Sequence, residues 1–374
     1  MSATLAGRRE LRRYSRHLLI PEVGLAGQER LLQARVLVVG AGGLGSPVLQ
    51  YLAAAGVGTL GIVDDDVVDV TNLQRQVIYG EADVGLPKVS VAARRVRELN
   101  AGIVCRIVPE RLSAANARAL VRGFDVVVDA TDTFGARYLI NDACRLEAKP
   151  DVYGSIFRFE GQISTFVPGG PCYRCLFPEP PPEGSVPSCA EGGVLGVLAG
   201  MVGTWQANEV LKLVLGIGAP LRGRLALVDA LEARVREIAF DTDPACPLHG
   251  ERPTIDEVLE FAPVAREPLG VPELAPGDLD AYLAGHPRTR VLDVREPHEA
   301  ILAAPPQSVH LPASRLESRL HELDTAREYI VACRVGAKSY WAAGRLRDAG
   351  FARLRHLSGG LLAYAATHDE FDVF

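Results

Sequence analysis

Residues 35–75 constrain the fold of this chain more than any other stretch. An apolar run at 36–39 is typical of a strand buried on both faces of a parallel sheet. The glycine-rich segment 40–45 (Gly-Ala-Gly-Gly-Leu-Gly) follows, and a second apolar strand ends at Asp64. Glycines at this spacing permit a tight turn whose backbone N–H groups face a phosphate at the start of the next helix. The sequence therefore predicts a βαβ unit that binds a nucleotide, although NAD, FAD and ATP sites all use such a turn.

Polar residues follow the strands of this unit. Asn72 and Arg75 come just after the second strand, Lys88 begins the next helix, and Asp132 ends a later apolar strand. Cationic and amide groups can hold phosphate oxygens, and a carboxylate can hold Mg²⁺. Any one of these residues alone would more often be a surface charge. As a set at the strand–helix junctions of one sheet, they predict a site.

In these motifs the chain resembles the MoeB/ThiF family, bacterial relatives of the ubiquitin-activating enzymes, over roughly two-thirds of its length. The resemblance implies that MgATP is used to adenylate the C-terminal Gly-Gly carboxylate of a small ubiquitin-like sulfur carrier protein. Arg16 matches a family arginine that reaches the ATP phosphates across a homodimer, although such basic clusters are more often a solvated helix face. The residues that the resemblance assigns to ATP and Mg²⁺ are Gly42, Gly43, Asp64, Asp66, Asn72, Arg75, Lys88 and Asp132.

Two pairs of metal-ligand type residues lie far apart in the sequence. Cys172-Tyr-Arg-Cys175 alone could be a redox or a metal-binding motif. The family usually has a second Cys-x-x-Cys downstream, where this chain has Cys246-Pro-Leu-His249. Three cysteines and one histidine still form a tetrahedral zinc set, and four protein ligands imply a structural site. The alternative is that His249 is a surface histidine.

The other cysteines of the first domain fall into two groups according to the residues that surround them in the sequence. Cys105 and Cys144 fall in apolar surroundings and are expected to be buried and inert. Cys189 follows a proline-rich loop and matches a cysteine that forms an acyl or disulfide link in some family members. An exposed loop cysteine without catalytic duty is an equal alternative. An odd count of 7 cysteines in a long chain fits reduced thiols, metal ligands or catalysis better than a disulfide framework.

A second domain follows a proline-dense linker at 251–272. Its C-terminal hundred residues or so resemble a rhodanese domain, with Cys333 at the end of an apolar strand, where that family carries a persulfide. Rhodaneses commonly have arginine where Lys338 stands. The positive charge is kept, but the planar guanidinium group, which can form two parallel hydrogen bonds, is replaced by an ammonium group. The usual Gly-His-Ile-Pro-Gly-Ala stretch is replaced at 303–308. The resemblance still implies a sulfurtransferase fold.

Composition and charge argue against several classes of protein. Net charge is −6, and the chain has no dense basic run, so nucleic-acid binding has no electrostatic support. The N-terminus has no apolar signal-peptide core, and the apolar stretch 194–216 contains Glu209 and Lys212, which favours a buried helix over a membrane span. We therefore expect a cytoplasmic protein.

Together these patterns predict an α/β chain with a Rossmann-like ATP-binding domain of mixed sheet at 1–250, a linker at 251–272 and a small α/β rhodanese domain at 273–374. The chain as a whole resembles MoeZ-like fusions. That resemblance implies ATP, Mg²⁺ and Zn²⁺, a homodimer, a Gly-Gly sulfur carrier and a persulfide donor such as a cysteine desulfurase. Thiocarboxylate formation would involve Arg16, Arg75, Lys88, Asp132, Cys189 and Cys333. The alternatives are an adenylyltransferase or a binding scaffold with a non-functional rhodanese domain, and an NAD-dependent oxidoreductase.

Overall fold

The computed structural model describes residues 7–181, 192–260, 269–368 and 370–373. These residues form two compact units. The first takes in the described residues up to 180 and those from 192 to 260, and the second takes in Pro181 and the described residues from 269 onward.

Eight strands of the described part of the first unit form one sheet. They are β1 Arg35–Val39, β2 Thr59–Val63, β3 Val104–Val108, β4 Val126–Asp129, β5 Asp151–Phe157, β6 Glu160–Phe166, β7 Arg224–Asp229 and β8 Arg234–Ala239. Their order is β3-β2-β1-β4-β5-β6-β7-β8. Neighbours from β3 to β5 pair in parallel, and neighbours from β5 to β8 pair antiparallel. The carboxyl ends of β1 to β5 therefore lie along one edge.

The helices of the first unit cover both faces of this sheet. They are α1 Arg8–Arg13, α2 Ser15–Leu18, α3 Gly24–Gln33, α4 Gly45–Ala55, α5 Lys88–Leu99, α6 Ala114–Arg122, α7 Phe134–Leu146, α8 Tyr173–Leu176 and α9 Gly196–Leu215. One apolar core joins α4, α5 and α9 to the sheet, and a second core joins α6 and α7 to the other face. Helix α9 packs closely on α4, because a Cβ at Gly203 would lie 2.5 Å from the carbonyl oxygen of Leu44.

The second unit is a smaller α/β layer structure. Its described strands are β9 Glu273–Leu274, β10 Arg290–Asp293, β11 Ser308–His310, β12 Tyr329–Ala332 and β13 Leu354–Leu357, and its helices are α10 Leu279–Gly285, α11 Leu316–Arg319, α12 Ala337–Asp348 and α13 Gly360–Ala365. The strands form a parallel sheet in the order β11-β10-β12-β13-β9. Apolar cores lie on both faces of this sheet.

The predicted fold class, a Rossmann-like domain of mixed sheet followed by a small rhodanese-type α/β domain, is confirmed. Residues 251–260 of the predicted linker belong to the first unit, since Val258 is buried among α6 and α7. Cys144 is buried as expected, whereas Cys105 is only half-buried, because β3 is an edge strand of the sheet. No helix in the described part of the chain is long and apolar enough to cross a membrane.

Candidate active sites and metal centre

The glycine turn after β1 has a shape that requires glycine at positions 40 and 45. Gly40 has φ +95°, and a Cβ there would lie 2.6 Å from the carbonyl oxygen of Ala130. A Cβ at Gly45 would lie 2.0 Å from the carbonyl oxygen of Gly40. At Gly43 it would lie 3.3 Å from Ala199 of α9. The turn thus brings β1, β4 and α9 together and leaves its backbone at the carboxyl edge of the sheet.

Asp64 fastens the end of β2 to this turn. One carboxylate oxygen accepts from the N–H of Ala41 at 2.7 Å, and the other accepts from the N–H of Asp66 at 2.9 Å. Burial raises the pKa of Asp64, while the N–H of Ala41 and the charge of Lys88 oppose the rise. The Tyr79 hydroxyl donates to the carbonyl oxygen of Ala41 at 2.7 Å and braces the turn from the other side.

A cavity of about 660 Å³ opens at this edge of the sheet. Its lining includes the glycine turn and the side chains of Asp64, Asp66, Arg75, Lys88 and Asp132. The Lys88 ammonium lies 2.8 Å from the Asp66 carboxylate, and its side chain is only 7% exposed. Arg75 donates to the carbonyl oxygen of Thr71 at 3.1 Å. The cavity therefore combines backbone N–H groups, several cationic side chains and several carboxylates, a set that can hold a nucleotide and a divalent cation.

Cys172, Cys175, Cys246 and His249 converge, with all four ligand atoms within 4.8 Å of one another. The sulfurs of Cys172 and Cys246 are 3.7 Å apart, and those of Cys172 and Cys175 are 3.9 Å apart. The sulfur of Cys175 lies 3.4 Å from Nε2 of His249. Tetrahedral zinc bonds of about 2.3 Å to sulfur and 2.0 Å to nitrogen imply ligand separations of about 3.8 Å and 3.5 Å. The three measured separations match those of a tetrahedral zinc site.

Cys333 follows β12 directly, and the loop 334–336 leads into α12. The N–H of Gly336 donates to the Cys333 sulfur at 3.2 Å, and the cysteine is 1% exposed. The N–H of Leu361, in the first turn of α13, donates to the carbonyl oxygen of Cys333 at 2.8 Å. The His356 ring nitrogen Nε2 lies 3.0 Å from the carbonyl oxygen of Gly336. One backbone N–H therefore contacts the sulfur directly, and the other hydrogen bonds hold the loop that follows β12 in place.

The segments in which this chain departs from the rhodanese pattern are held by ion pairs. The Lys338 ammonium lies 2.7 Å from the Glu299 carboxylate. Arg295 is fully buried, pairs with Asp293 at 2.7 Å and donates to the carbonyl oxygen of Ala303 at 2.7 Å. The loop that replaces the usual stretch is thus anchored to the end of β10.

Two family models match the chain, and they divide it in the same order as the two units. The ThiF family matches residues 14–248, and the rhodanese-like domain matches residues 275–367. The chain belongs to the ThiF family. It carries a rhodanese-like domain after the ThiF domain, which confirms the predicted combination.

Related proteins match either nearly the whole chain or its ThiF domain. The probable adenylyltransferase/sulfurtransferase MoeZ of Mycobacterium tuberculosis is 44% identical over 97% of this chain and 95% of its own length. The sulfur carrier protein adenylyltransferase of Thermus thermophilus is 53% identical over 67% of this chain and 95% of its own length. Among solved structures, E. coli MccB superposes with a TM-score of 0.58 at 23% identity, covering 64% of this chain and 74% of that chain. The structural likeness shows the fold alone.

Two of the predicted residues that the structure describes in the ThiF domain, Asn72 and Arg16, do not line the cavity. Asn72 caps a short 3₁₀ helix, where its side-chain oxygen accepts from the N–H of Asp69 at 3.3 Å. Arg16 is exposed on α2. Cys189 lies outside the described residues. The roles of all three stay predictions.

The ThiF-domain cavity also has polar lining residues that the sequence analysis missed. Gln76 is buried, and its side-chain oxygen has no hydrogen-bond partner in the described structure. Arg137 is buried in the first turns of α7, and Glu260 accepts from the N–H of Ala114 at 2.7 Å. Gln76 adjoins the motif already quoted and could have been included on that ground. Neither Arg137 nor Glu260 carries a spacing signal.

Proposed function

We propose that the ThiF domain adenylates the C-terminal Gly-Gly carboxylate of a small ubiquitin-like sulfur carrier. We further propose that the rhodanese-like domain delivers sulfur to the activated carboxyl group. The observation that carries this proposal is the cavity at the carboxyl edge of the sheet, which brings the glycine turn together with Arg75, Lys88 and Asp132. The relatives named adenylyltransferase and sulfurtransferase support the same reading.

In the first step a carrier carboxylate oxygen attacks the α-phosphorus of ATP, and pyrophosphate leaves with the bonding electron pair. Two anions must approach each other, so the site has to neutralise charge. Arg75 and Lys88 would hold phosphate oxygens, and Asp64 would accept from the ribose hydroxyls. Asp132, which is exposed at the cavity, would hold Mg²⁺. When bound, that ion would supply further positive charge to the phosphates.

In the second step Cys333 carries the sulfur. Its thiolate takes the outer sulfur of a donor persulfide, and the donor thiolate leaves. The Cys333 persulfide then attacks the acyl carbon, and AMP leaves. A second thiol cleaves the resulting acyl disulfide, which releases the carrier thiocarboxylate and leaves a disulfide on Cys333 for an external thiol to reduce. Cys189 is the candidate for the second thiol.

A homodimer would complete the adenylation site through Arg16 of the second copy. Helix α9 supports this part of the proposal, because it backs the glycine turn through Ala199 and turns an apolar face to solvent. Val197 is 63% exposed and Met201 is 42% exposed, one helical turn apart. A second copy that covers this face would lie close to the cavity.

The metal centre fits a structural zinc role. The four ligands Cys172, Cys175, Cys246 and His249 come from two segments, one after β6 and one after β8. Four protein ligands leave no open position for a substrate. Zinc would therefore hold these two segments together and take no part in either reaction.

ATP–pyrophosphate exchange tests the first step. The wild-type chain should exchange label in the presence of a recombinant ubiquitin-like protein ending in Gly-Gly, and Asp132→Ala should abolish the exchange. Asp125→Ala is the matched control, because Asp125 precedes β4, pairs with Arg35 on the surface and lies outside the cavity lining. If the wild-type chain supports no exchange with any such carrier but still binds carriers, the scaffold alternative is favoured. Binding of NADH in place of ATP would favour the oxidoreductase alternative.

A further inference from the structure

Arg137 is a buried cation whose contacts within the protein are incomplete. It lies on α7, lines the cavity and is 7% exposed. One terminal nitrogen donates to the Ser155 hydroxyl at 2.9 Å. The Nε atom has no hydrogen-bond partner among the described residues. No carboxylate of the described residues forms an ion pair with this guanidinium.

The surroundings hold the guanidinium in one place. Its central carbon lies 5.1 Å from the ring centroid of Phe134 and 5.7 Å from that of Tyr153. Aromatic faces and the hydroxyls of Ser155 and Tyr173 orient the planar group. The Asp129 carboxylate is near enough to stabilise the charge of Arg137, although the two groups form no direct ion pair. Burial of a charge without a direct ion pair destabilises the folded protein, because no direct contact with an opposite charge replaces the hydration that the charge loses. A guanidinium that is fixed, desolvated and open to a cavity is therefore suited to binding an anion.

The position of Arg137 separates it from the nucleotide end of the cavity. The strand order places β2, with Asp64, three strands away from β5, with Ser155, which is about 14 Å at the usual strand spacing. Asp129, the last residue of β4, pairs with Tyr153 of β5. Strand β5 therefore extends beyond the edge where β4 ends. Ser155 and Arg137 lie at this extension, on the far side of the glycine turn from Asp64.

We propose that Arg137 binds the terminal carboxylate of the acyl substrate and positions it for attack on the α-phosphorus. This inference rests on the proposed adenylation and names the group that would hold its second substrate. The nucleotide end already has cations for phosphate oxygens, namely Arg75 and Lys88. Arg137 is the buried cation at the opposite end, and its fork geometry matches a planar carboxylate. A carboxylate bound to Arg137 would face the nucleotide, with Asp132 and the glycine turn between them.

The test is a cycle that changes both partners of this contact. The protein is full-length wild type or Arg137→Gln, loaded with α,β-methylene ATP so that no adenylate forms. The probe is a ubiquitin-like carrier that supports exchange by the wild type, prepared either with a C-terminal carboxylate or with a C-terminal carboxamide. Equilibrium titration gives four dissociation constants and a separate one for the nucleotide on each protein.

Wild type should prefer the carboxylate carrier over the carboxamide by about 10- to 100-fold, as expected for hydrogen bonds to a charged group. In Arg137→Gln this preference should fall below about threefold, while the affinity for α,β-methylene ATP changes by less than about threefold. Arg137→Lys keeps the charge without the fork and should retain part of the preference. Arg145→Gln, on the same helix outside the cavity lining, should leave all values unchanged.

Three results would overturn the proposal. An unchanged preference in a folded Arg137→Gln protein would show that the carboxylate binds elsewhere. Equal weakening of both carriers would make Arg137 a structural residue, and a comparable loss of nucleotide affinity would assign it to the phosphates. A wild-type chain that binds no nucleotide or no carrier would instead refute the proposed function, before any variant is measured.

Discussion

Removal of the metal should destabilise the first unit. The ligands after β6 and after β8 lie within 4.8 Å of one another, although Cys172 and Cys246 are 74 residues apart in the sequence. A bound zinc ion would act as a cross-link between these segments, and chelation would break it. His249→Ala should have a smaller effect in the same direction, because three cysteine ligands remain. His249→Cys should restore a complete tetrahedral set.

The expected size follows from the length of chain that the cross-link closes. A link across 74 residues removes about 4 kcal/mol of conformational freedom from the unfolded chain. The first unit has about 240 described residues, and a domain of this size shifts its melting temperature by about 2 to 4 °C per kcal/mol. Chelation should therefore lower the melting temperature of this unit by at least about 8 °C.

Scanning calorimetry of the full chain, with and without a zinc chelator, measures this shift, and metal analysis gives the zinc content. About one zinc per chain is expected, with weaker retention in His249→Ala. Cys105→Ser is the matched control, since Cys105 is a free cysteine outside the cluster. Purified protein with no zinc, and with the same melting temperature in chelator, would refute the structural metal site.

Three other tests address the sites and the stability of the chain. Mixed dimers of an Arg16→Ala chain with an Asp132→Ala chain should recover part of the exchange activity, because one of the two composite sites regains both residues. No recovery in verified heterodimers would contradict the proposal that Arg16 acts in the site of the partner chain. Cys333→Ala should keep ATP–pyrophosphate exchange but lose thiocarboxylate formation from a persulfide donor. Mass spectrometry of the carrier should then show no increase of about 16 Da, the mass added when sulfur replaces oxygen. Thiocarboxylate formation at the wild-type rate would contradict the sulfur-carrier role of Cys333. Hydrogen bonds and charges from Arg122 and Arg118 lower the pKa of Glu147 to about 2. Because the folded pKa lies below the unfolded value of about 4.3, this stabilisation is present above that value and lost as pH falls towards 2. Glu147→Gln should thus lower the free energy of unfolding at pH 7 but not near pH 2, as measured by denaturant titration.

The sequence predicted the first βαβ unit because its determinants are local. The apolar run before the glycine turn forms β1, which is buried except at Arg35. At Gly40 and Gly45 a Cβ would collide with backbone atoms, so the glycine at each of these positions is required by the local geometry. The helix predicted from the apolar stretch 194–216 begins at Gly196 and ends at Leu215. The half-burial of Cys105 depends on strand order, which an apolar pattern does not give.

The cavity residues that the sequence analysis missed are brought to the cavity by the tertiary structure and not by a local sequence pattern. Arg137 lies in a helix with other charged residues, and its sequence neighbours do not distinguish it from Arg145. What brings it to the cavity is the extension of β5 past the end of β4, a property of strand register. Glu260 reaches the cavity only because residues after the metal centre fold back onto α6, where it caps the N–H of Ala114. Such placements become visible only once the sheet is assembled.

The burial of Cys333 is compatible with attack on the acyl carbon, because the sulfur that attacks in this step is the outer sulfur of the persulfide and not the cysteine sulfur. The thiol is 1% exposed and accepts from the N–H of Gly336 at 3.2 Å, so its surroundings keep water away from the sulfur. In a persulfide the outer sulfur lies about 2 Å beyond the cysteine sulfur, at disulfide bond length. The outer atom can therefore project from the loop while the inner one stays held. Burial of the inner sulfur then favours attack through the outer sulfur, which is the atom that has to be transferred.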